Sequence, residues 1–512
     1  MPLQLPSKDP QPLAPGLYVT DAFHRHPLFA VNGQVVCSWN EAHALHGPAR
    51  LADVNPAYVA ALIGNNHNAQ AAPYTGIRRL PRAHHVHVGR DSSIHTSAYD
   101  PLADGATGMK AEALHQFLRQ GLIDHVQQVM ASHAGAIGCE HSSGLDSNAV
   151  LGALVHGVGV MPERIHTSSY EEGGEGTLLP HFRSFYRLRH TQCHRLELND
   201  SGGKSGRDYR QHQLAVFGAP AQIGGNTKTA ELWVQQGCSL VFSGFGGDQA
   251  ISHNASNVPT DLVAQRRWAE LASWVGGKRQ SLKQILIRSV MLRYRQLAER
   301  VVLSRTRTFW SSDLIIRTLT PEGQGWLGPH LNQPYPWEFD NYAPQHQSIR
   351  QRVLADWVAI RAEDETRLAA FYGIAKAFPL LDEKLISTLL QQDPVLFGEG
   401  AGRGRWLHRR AFAPFLPPFL RDNPAKEREP EVGLEQWWSE RLNKQKQALE
   451  LSALSIRNWH PDLFIYWDVE AIRRETEDVL SSQEPTMKAV FGTSRAIASL
   501  TAISGWWQAL DS

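Results

Sequence analysis

The sequence predicts an α/β fold with a parallel sheet at its centre and a largely helical region after it. From about residue 135 to 250, apolar strand-like runs alternate with helix-like segments, as in strands joined by right-handed crossovers. Two of these runs, around residues 137–140 and 238–242, lead directly into loops rich in serine and glycine. Beyond residue 255 the apolar residues recur mainly at helical spacing.

The region before the sheet predicts a second, smaller unit. Residues 1–107 are rich in short strand and turn signals, and residues 113–131 follow a helical period that leads into the first sheet strand. A chain of 512 residues is long enough to form two domains. We therefore expect a small α+β N-terminal domain over residues 1–107 and a second domain over residues 108–512.

The first serine-rich loop has the features of a phosphate site. It consists of Ser142, Ser143, Gly144, Leu145, Asp146 and Ser147, and an apolar helix follows. Free backbone N–H groups and the positive end of the helix dipole favour a polyphosphate at such a turn. No Lys follows the glycine, which excludes the G-x-x-x-x-G-K-[ST] loop. The alternative is an ordinary turn with Asp146 as a helix cap.

A second loop repeats this arrangement about a hundred residues later. Its residues are Ser243, Gly244, Gly246, Gly247 and Asp248. Parallel strands present their carboxyl ends at one edge, so we expect Asp146 and Asp248 to face each other there. Two carboxylates together with phosphate oxygens and water suit Mg²⁺. The alternative for Asp248 is a turn residue after glycines.

Together these motifs resemble the asparagine synthetase superfamily over roughly residues 110 to 430. Residues 142–147 are similar to its Ser-Gly-Gly-x-Asp-Ser pyrophosphate loop, with Ser143 in place of one Gly, and residues 244–249 are similar to its second glycine motif. Residues 402–411 resemble its Lys-Trp-Leu segment, with Arg405 in place of the Lys. Residues 373–382 resemble its Gly-x-Glu motif, with Ala375 in place of the Glu.

The resemblance implies a parallel-sheet ATP-pyrophosphatase domain that uses ATP and Mg²⁺. ATP would be held by Ser142–Ser147, by the second loop and by Ser168 at the end of the next strand, with Mg²⁺ on Asp146 and Asp248. Arg405 and Lys426 would stabilise pyrophosphate or the oxyanion. The alternative for Lys426 is a solvated loop charge. A Tyr372 hydroxyl could contribute, although packing is the more common role of such a tyrosine.

Two departures from the family pattern narrow the expected reaction. The chain begins Met1-Pro2, so residues 1–107 are expected to be a truncated, vestigial glutaminase-like domain without its catalytic Cys. Ala375 argues against ammonia-using and β-lactam-forming relatives. These departures resemble the lasso peptide cyclase branch, which adenylates an Asp or Glu side chain of a precursor peptide for attack by its N-terminal amine. An α-amine has a pKa near 8 and needs little help to lose its proton.

This resemblance implies two partners, the precursor (core) peptide as substrate and a leader-peptide protease of the same pathway. Two alternatives remain open. One is another amide ligase of the superfamily that forms asparagine or a β-lactam, and the other is a non-catalytic nucleotide-binding scaffold.

The composition of the chain limits the partners, metal sites and cellular locations that we expect. The net charge of +1 gives no general attraction to nucleic acid, and four cysteines without a C-x-x-C pair indicate neither a zinc ribbon nor a disulfide framework. No secretory signal or membrane-length apolar run is present, so we expect a cytoplasmic protein. Residues 278–307 carry nine basic residues and one acid. They predict an amphipathic helix with a solvated basic face or, less favoured, a docking surface for a peptide.

Overall fold

The computed structural model describes most of the chain. The described residues are 11–23, 25–64, 67–170, 175–196, 214, 218–223, 227–253, 255–275, 312–331, 344–398, 405–422, 434–482 and 485–511. Two predictions lie outside these ranges and stay predictions: the role of Lys426 and the character of the basic segment 278–307.

A five-stranded parallel sheet forms the centre of the fold and confirms the predicted α/β class. Its strands are β7 (Ala136–Glu140), β8 (Ile165–Tyr170), β9 (Cys193–Leu196), β10 (Cys238–Phe242) and β11 (Ala375–Ala377). Their order is β11-β10-β7-β8-β9, and every adjacent pair is parallel. The two strands that lead into the predicted site loops, β7 and β10, are therefore neighbours.

Burial on both faces explains why these residues form a sheet between helices. Ile137 and Cys139 of β7 belong to the larger core, whereas an added Cβ at Gly138 would lie 2.9 Å from the Trp233 ring on the other face. The helix before β7, α3 (Ala111–Met130), buries Leu114, Leu118, Leu122 and Val126, which share one face at four-residue spacing.

Helices surround the sheet and form most of the C-terminal third. Besides α3, they are α1 (Trp39–His46), α2 (Pro56–Gly64), α4 (Leu145–Gly152), α5 (Glu175–Tyr186), α6 (Thr227–Gln235), α7 (Val258–Ala264), α8 (Trp268–Val275), α9 (Ser312–Arg317), α10 (Pro321–Leu331), α11 (Gln345–Val353), α12 (Asp356–Phe371), α13 (Glu383–Leu390), α14 (Trp406–Ala411), α15 (Pro418–Arg421), α16 (Leu434–Ala453), α17 (Leu463–Tyr466), α18 (Val469–Ser481) and α19 (Met487–Asp511). None of the helices within the described ranges combines the length and apolar character that a membrane crossing needs.

The N-terminal region contains two small antiparallel sheets and two helices. The strands are β1 (Gly16–Thr20), β2 (Phe29–Val31), β3 (Gln34–Val36), β4 (Arg78–Arg79), β5 (His84–Val88) and β6 (Ile94–Ala98). One sheet has the order β1-β5-β6 and the other β3-β2-β4. Trp39, Tyr58 and Tyr74 share one core with Trp506 and Trp507 of α19, so both ends of the described chain pack together.

Helix α12 connects this N-terminal region to the sheet. The Arg79 guanidinium forms two 2.8 Å hydrogen bonds with the Glu363 carboxylate, and both side chains are almost fully buried. Arg82 contacts Asp356 at 2.8 Å at the start of the same helix. Because α12 precedes β11 directly, these ion pairs hold the helix that leads into this strand.

Candidate functional site

The first loop is held in shape by a buried amide. Asn148 lies in the first turn of α4 with no exposed surface. Its Nδ2 donates to the carbonyls of Ser142 (2.9 Å) and Gly144 (2.7 Å). Its Oδ1 accepts from Tyr186 Oη at 3.0 Å and lies 3.1 Å from His141 Nε2. The loop backbone is therefore preformed before any ligand binds.

The side chains around Asn148 have one consistent assignment of protons. Burial lowers the pKa of His141 to about 4, although the contact with Asn148 opposes this in part. The ring is therefore neutral near pH 7, with its proton on Nε2 facing Asn148 Oδ1. Ser147 Oγ accepts from the Ser142 N–H at 3.1 Å and closes the loop on itself.

We expect replacement of Asn148 by leucine to loosen this loop. The change removes the closest donor to the Ser142 and Gly144 carbonyls and leaves them the longer contacts with Ser147 Oγ, at 3.2 and 3.3 Å, so we expect a loss of roughly 1–3 kcal/mol in total. Tyr186→Phe removes one neutral donor and should cost only about 1 kcal/mol. Urea unfolding of both variants measures the difference, and equal losses of unfolding free energy would contradict the assigned role of Asn148.

The second loop approaches the first at van der Waals distance. A Cβ added to Gly244 would lie 2.6 Å from Ser147 N, and one added to Gly247 would lie 2.3 Å from Asp146 Oδ1. Gly246 adopts a φ of +103°, which side chains disfavour. The glycines of this loop are therefore required by close approach and by backbone conformation, and they bring the two strand ends together.

Asp146 and Asp248 share two partners at the carboxyl edge of the sheet. The Ser252 hydroxyl lies 3.1 Å from Asp146 Oδ2 and 3.5 Å from Asp248 Oδ1. The Arg405 guanidinium forms an ion pair with Asp248 Oδ1 and lies 4.0 Å from Asp146 Oδ2. Arg405 reaches this position from a left-handed backbone conformation, φ 59°, at the start of α14. The structure thus brings together the three described residues that the sequence motifs single out for metal and phosphate chemistry.

His408 completes the surroundings of Asp146. It is fully buried on α14, and its Nε2 lies 3.1 Å from Asp146 Oδ1. Although this distance suits a hydrogen bond, neither atom has an aligned hydrogen-bond partner among the described residues. Burial alone would raise the pKa of Asp146, but His408 and the charge of Arg405 hold it below its ordinary value.

The donor set fits a hard divalent cation bound together with a ligand. No group of three or more His, Cys, Asp or Glu side chains within the described ranges is arranged to hold a metal. Two carboxylates and the Ser252 hydroxyl are hard oxygen donors, and Mg²⁺ commonly takes one or two carboxylates plus phosphate oxygens and water. The Arg405 guanidinium lies beside both carboxylates, so their position already favours a positive charge.

The remaining predicted residues lie around this centre. Ser168 is buried within β8, two residues before the strand ends, and its carbonyl accepts from the His141 N–H at 2.8 Å. Ser243 is buried at the end of β10, where its Oγ accepts from the Phe245 N–H at 3.3 Å. Leu145 packs into the larger core. These positions are compatible with nucleotide binding, which stays a prediction for each of them.

The structure places two residues at the centre of the site, His408 and Ser252, for which no sequence motif predicts a role. His408 lies inside the segment that resembles the Lys-Trp-Leu motif, three residues after Arg405, so both can share one helical face. Ser252 follows Asp248 by four residues and lies in a turn, where the sequence has no helical or strand periodicity. Only the spacing from Arg405 could have indicated His408, and no local signal indicates Ser252.

Comparison with known proteins gives a family but no individual relative. The sequence matches the family described as "Asparagine synthase" over residues 118–506. This range contains both loops, Arg405, His408 and every strand of the parallel sheet. A search of curated proteins finds no match.

Proposed function

This chain belongs to the asparagine synthase family, and from that membership we propose that it is an ATP-dependent macrolactam synthetase of the lasso peptide cyclase type. Members of the family are ATP-dependent C–N ligases, so the broad reaction class is established. The proposed substrate is a precursor peptide, whose Asp or Glu side-chain carboxylate is joined to its own N-terminal amine.

One observation supports the adenylation step of the proposal. Asp146 and Asp248 both lie against the Ser252 hydroxyl and the Arg405 guanidinium. The phosphates of ATP would lie on the Ser142–Ser147 loop at the N-terminus of α4, where Gly144 provides no side-chain cap for the helix. Asp146 and Asp248 would hold Mg²⁺, which neutralises phosphate charge when bound. Positioning and charge neutralisation are the main contributions to such a reaction.

The proposed chemistry has two steps. The peptide carboxylate attacks the α-phosphorus of ATP, and the bond to the β-phosphate breaks, which gives an acyl-adenylate and pyrophosphate. The neutral N-terminal amine then attacks the acyl carbon, loses a proton and expels AMP. Arg405, and Lys426 from outside the described residues, would stabilise the negative charge that develops.

The residue at position 375 supports the proposal that the nucleophile is the α-amine of a peptide. Ala375 begins β11 and packs, half-buried, against the larger core, so it contributes no carboxylate to the edge. An α-amine, with a pKa near 8, is partly neutral at pH 7 and can attack without a strong base. A free N-terminal amine also requires that any leader has been removed, so we propose a leader-peptide protease as a partner.

Product analysis tests this proposal. The purified protein is incubated with MgATP and a synthetic peptide that has a free N-terminus and one acidic side chain at a ring-forming distance. We expect AMP, pyrophosphate and a peptide lighter by one water. A control peptide with an acetylated N-terminus should give no cyclic product.

Two outcomes would overturn parts of the proposal. Formation of ADP and phosphate would contradict the adenylating mechanism. Formation of AMP with ammonia or a small amine, but with no peptide, would favour another amide ligase of the family.

A further inference from the structure

A cluster of four charged side chains with a buried centre lies beside the site. The Lys376 ammonium on β11 lies 2.5 Å from Glu140 Oε1 and 2.7 Å from Glu365 Oε2. The other Glu365 oxygen accepts from Arg361 Nε at 2.7 Å. The Lys376 and Glu365 side chains are only 9% and 11% exposed, whereas Glu140 and Arg361 at the two ends of the cluster reach the solvent. Two positive and two negative groups leave it with no net charge.

Mutual pairing keeps Lys376 and Glu365 ionised despite their burial. Burial would lower the pKa of Lys376, but Glu140 and Glu365 raise it well above its ordinary value. Burial would likewise raise the pKa of Glu365, but Lys376 and Arg361 hold it below its ordinary value. The Lys376–Glu365 contact is short without being aligned as a hydrogen bond, so charge is its main component.

The cluster joins the two loops that carry the aspartates. Glu140 is the last residue of β7 and stands two residues before Ser142. At the other end, the Arg361 guanidinium lies 4.3 Å from the centroid of the Phe245 ring, in the second loop. A continuous path of contacts therefore leads from Glu140 through Lys376, Glu365 and Arg361 to Phe245.

Sheet register explains why Lys376 is the central member. Lys376 pairs with Val241 of β10, and Val241 pairs with Gly138 of β7. Glu140 projects to the same face as Gly138 because side chains alternate along a strand. Lys376 can thus reach across β10 to the end of β7, while α12 supplies Glu365 and Arg361 from outside the sheet.

We propose that Lys376 is a positioning residue that fixes the distance between the Ser142–Ser147 loop and the Ser243–Asp248 loop. This proposal rests on the proposed function, because it assumes that the two loops bind MgATP together. Lys376 acts through Glu140 on one loop and through Glu365, Arg361 and Phe245 on the other. Removing its charge would leave Glu140 unpaired and allow the two aspartates to move apart.

Lys376→Met tests this proposal, with Lys376→Arg as the conservative variant. Misplacement of a loop by about 1 Å can cost roughly 100-fold in rate, so we expect a 10- to 100-fold loss for Lys376→Met. The KM for ATP should rise, and MgATP affinity measured by calorimetry without peptide should fall by a similar factor. Lys376→Arg should retain most of the affinity because it keeps the charge.

A matched control separates positioning from general destabilisation. Lys446 on α16 donates to the Ser482 carbonyl over a long 3.5 Å, so Lys446→Met should leave the KM for ATP unchanged. A merely structural role of Lys376 would lower the amount of active protein while leaving the KM of the folded fraction intact. Glu140→Gln, which weakens one contact of the cluster without removing Lys376, should raise the KM in the same direction.

The outcomes distinguish this proposal from the proposed function. If Lys376→Met and Glu140→Gln bind MgATP as tightly as the unmodified protein, the positioning role is wrong. If Lys376→Met does not fold, unchanged affinity in Glu140→Gln still overturns it. If the unmodified protein binds MgATP and the variants lose that binding, but no peptide yields AMP, the positioning role stands and the macrolactam synthetase proposal fails.

Discussion

Asp146→Asn is expected to reduce peptide-dependent AMP formation by at least about 100-fold. The change removes the negative charge that lies against His408, Ser252 and Arg405 and that would hold Mg²⁺ beside the phosphates. Asparagine keeps nearly the same shape, so the two loops should stay together. Exchange of labelled pyrophosphate into ATP, measured with peptide present, reports the adenylation step alone.

A surface aspartate provides the control for Asp146. Asp124 on α3 is exposed and accepts from the Gln120 side chain at 2.7 Å, so Asp124→Asn should exchange pyrophosphate at the unmodified rate. Rising MgCl₂ concentration should partly restore Asp146→Asn, because the remaining carboxylate of Asp248 still binds the ion weakly. Full exchange in Asp146→Asn at low magnesium would contradict the role assigned to this carboxylate.

Arg79→Met is expected to cause the largest loss of stability, about 3–5 kcal/mol of unfolding free energy. The variant leaves the Glu363 carboxylate buried on α12 without its two 2.8 Å hydrogen bonds. Burial already raises the pKa of Glu363 despite Arg79 and Arg367, which shows that its charge is costly at this position. Urea unfolding, followed by tryptophan fluorescence, measures the loss.

The double variant Arg79→Met, Glu363→Met provides the test of this explanation. Replacing both partners by apolar groups removes the Glu363 carboxylate, whose charge Arg367 at 3.5 Å compensates only in part, so the double variant should be more stable than Arg79→Met alone. Equal or greater destabilisation in the double variant would show that the Arg79–Glu363 pair itself, and not the poorly compensated carboxylate, accounts for the loss.

Local sequence signals were sufficient to predict one half of the site. Short apolar runs that end in serine or glycine identify β7 and β10 and their loops, because strand, turn and helix signals follow one another directly. The structure places Asp146 and Asp248 at adjacent strand ends, as expected from that pattern. Neighbouring strands of one parallel sheet share a carboxyl edge, so this part needed no long-range information.

The rest of the site depends on contacts between distant segments. Strand β11 has only three residues, too few for a period, and it joins the sheet more than a hundred residues after β10. The motif around Ala375 differs from the family pattern in that it lacks the Glu. No local sequence signal predicts that Lys376 contacts Glu140 and Glu365. Residues 1–107 contain α1 and α2 as well as the expected strands, and their packing against α19 depends on the whole fold.

Transfer of isotope from the peptide tests the central claim most directly. A peptide whose acidic side chain carries ¹⁸O in its carboxylate is incubated with the protein and MgATP until cyclisation is complete, and the nucleotide and phosphate products are analysed by mass spectrometry. If the two aspartate-bearing loops present ATP for attack at the α-phosphorus, the released AMP carries one ¹⁸O atom and pyrophosphate carries none. Label in inorganic phosphate, or AMP without label, would contradict that account.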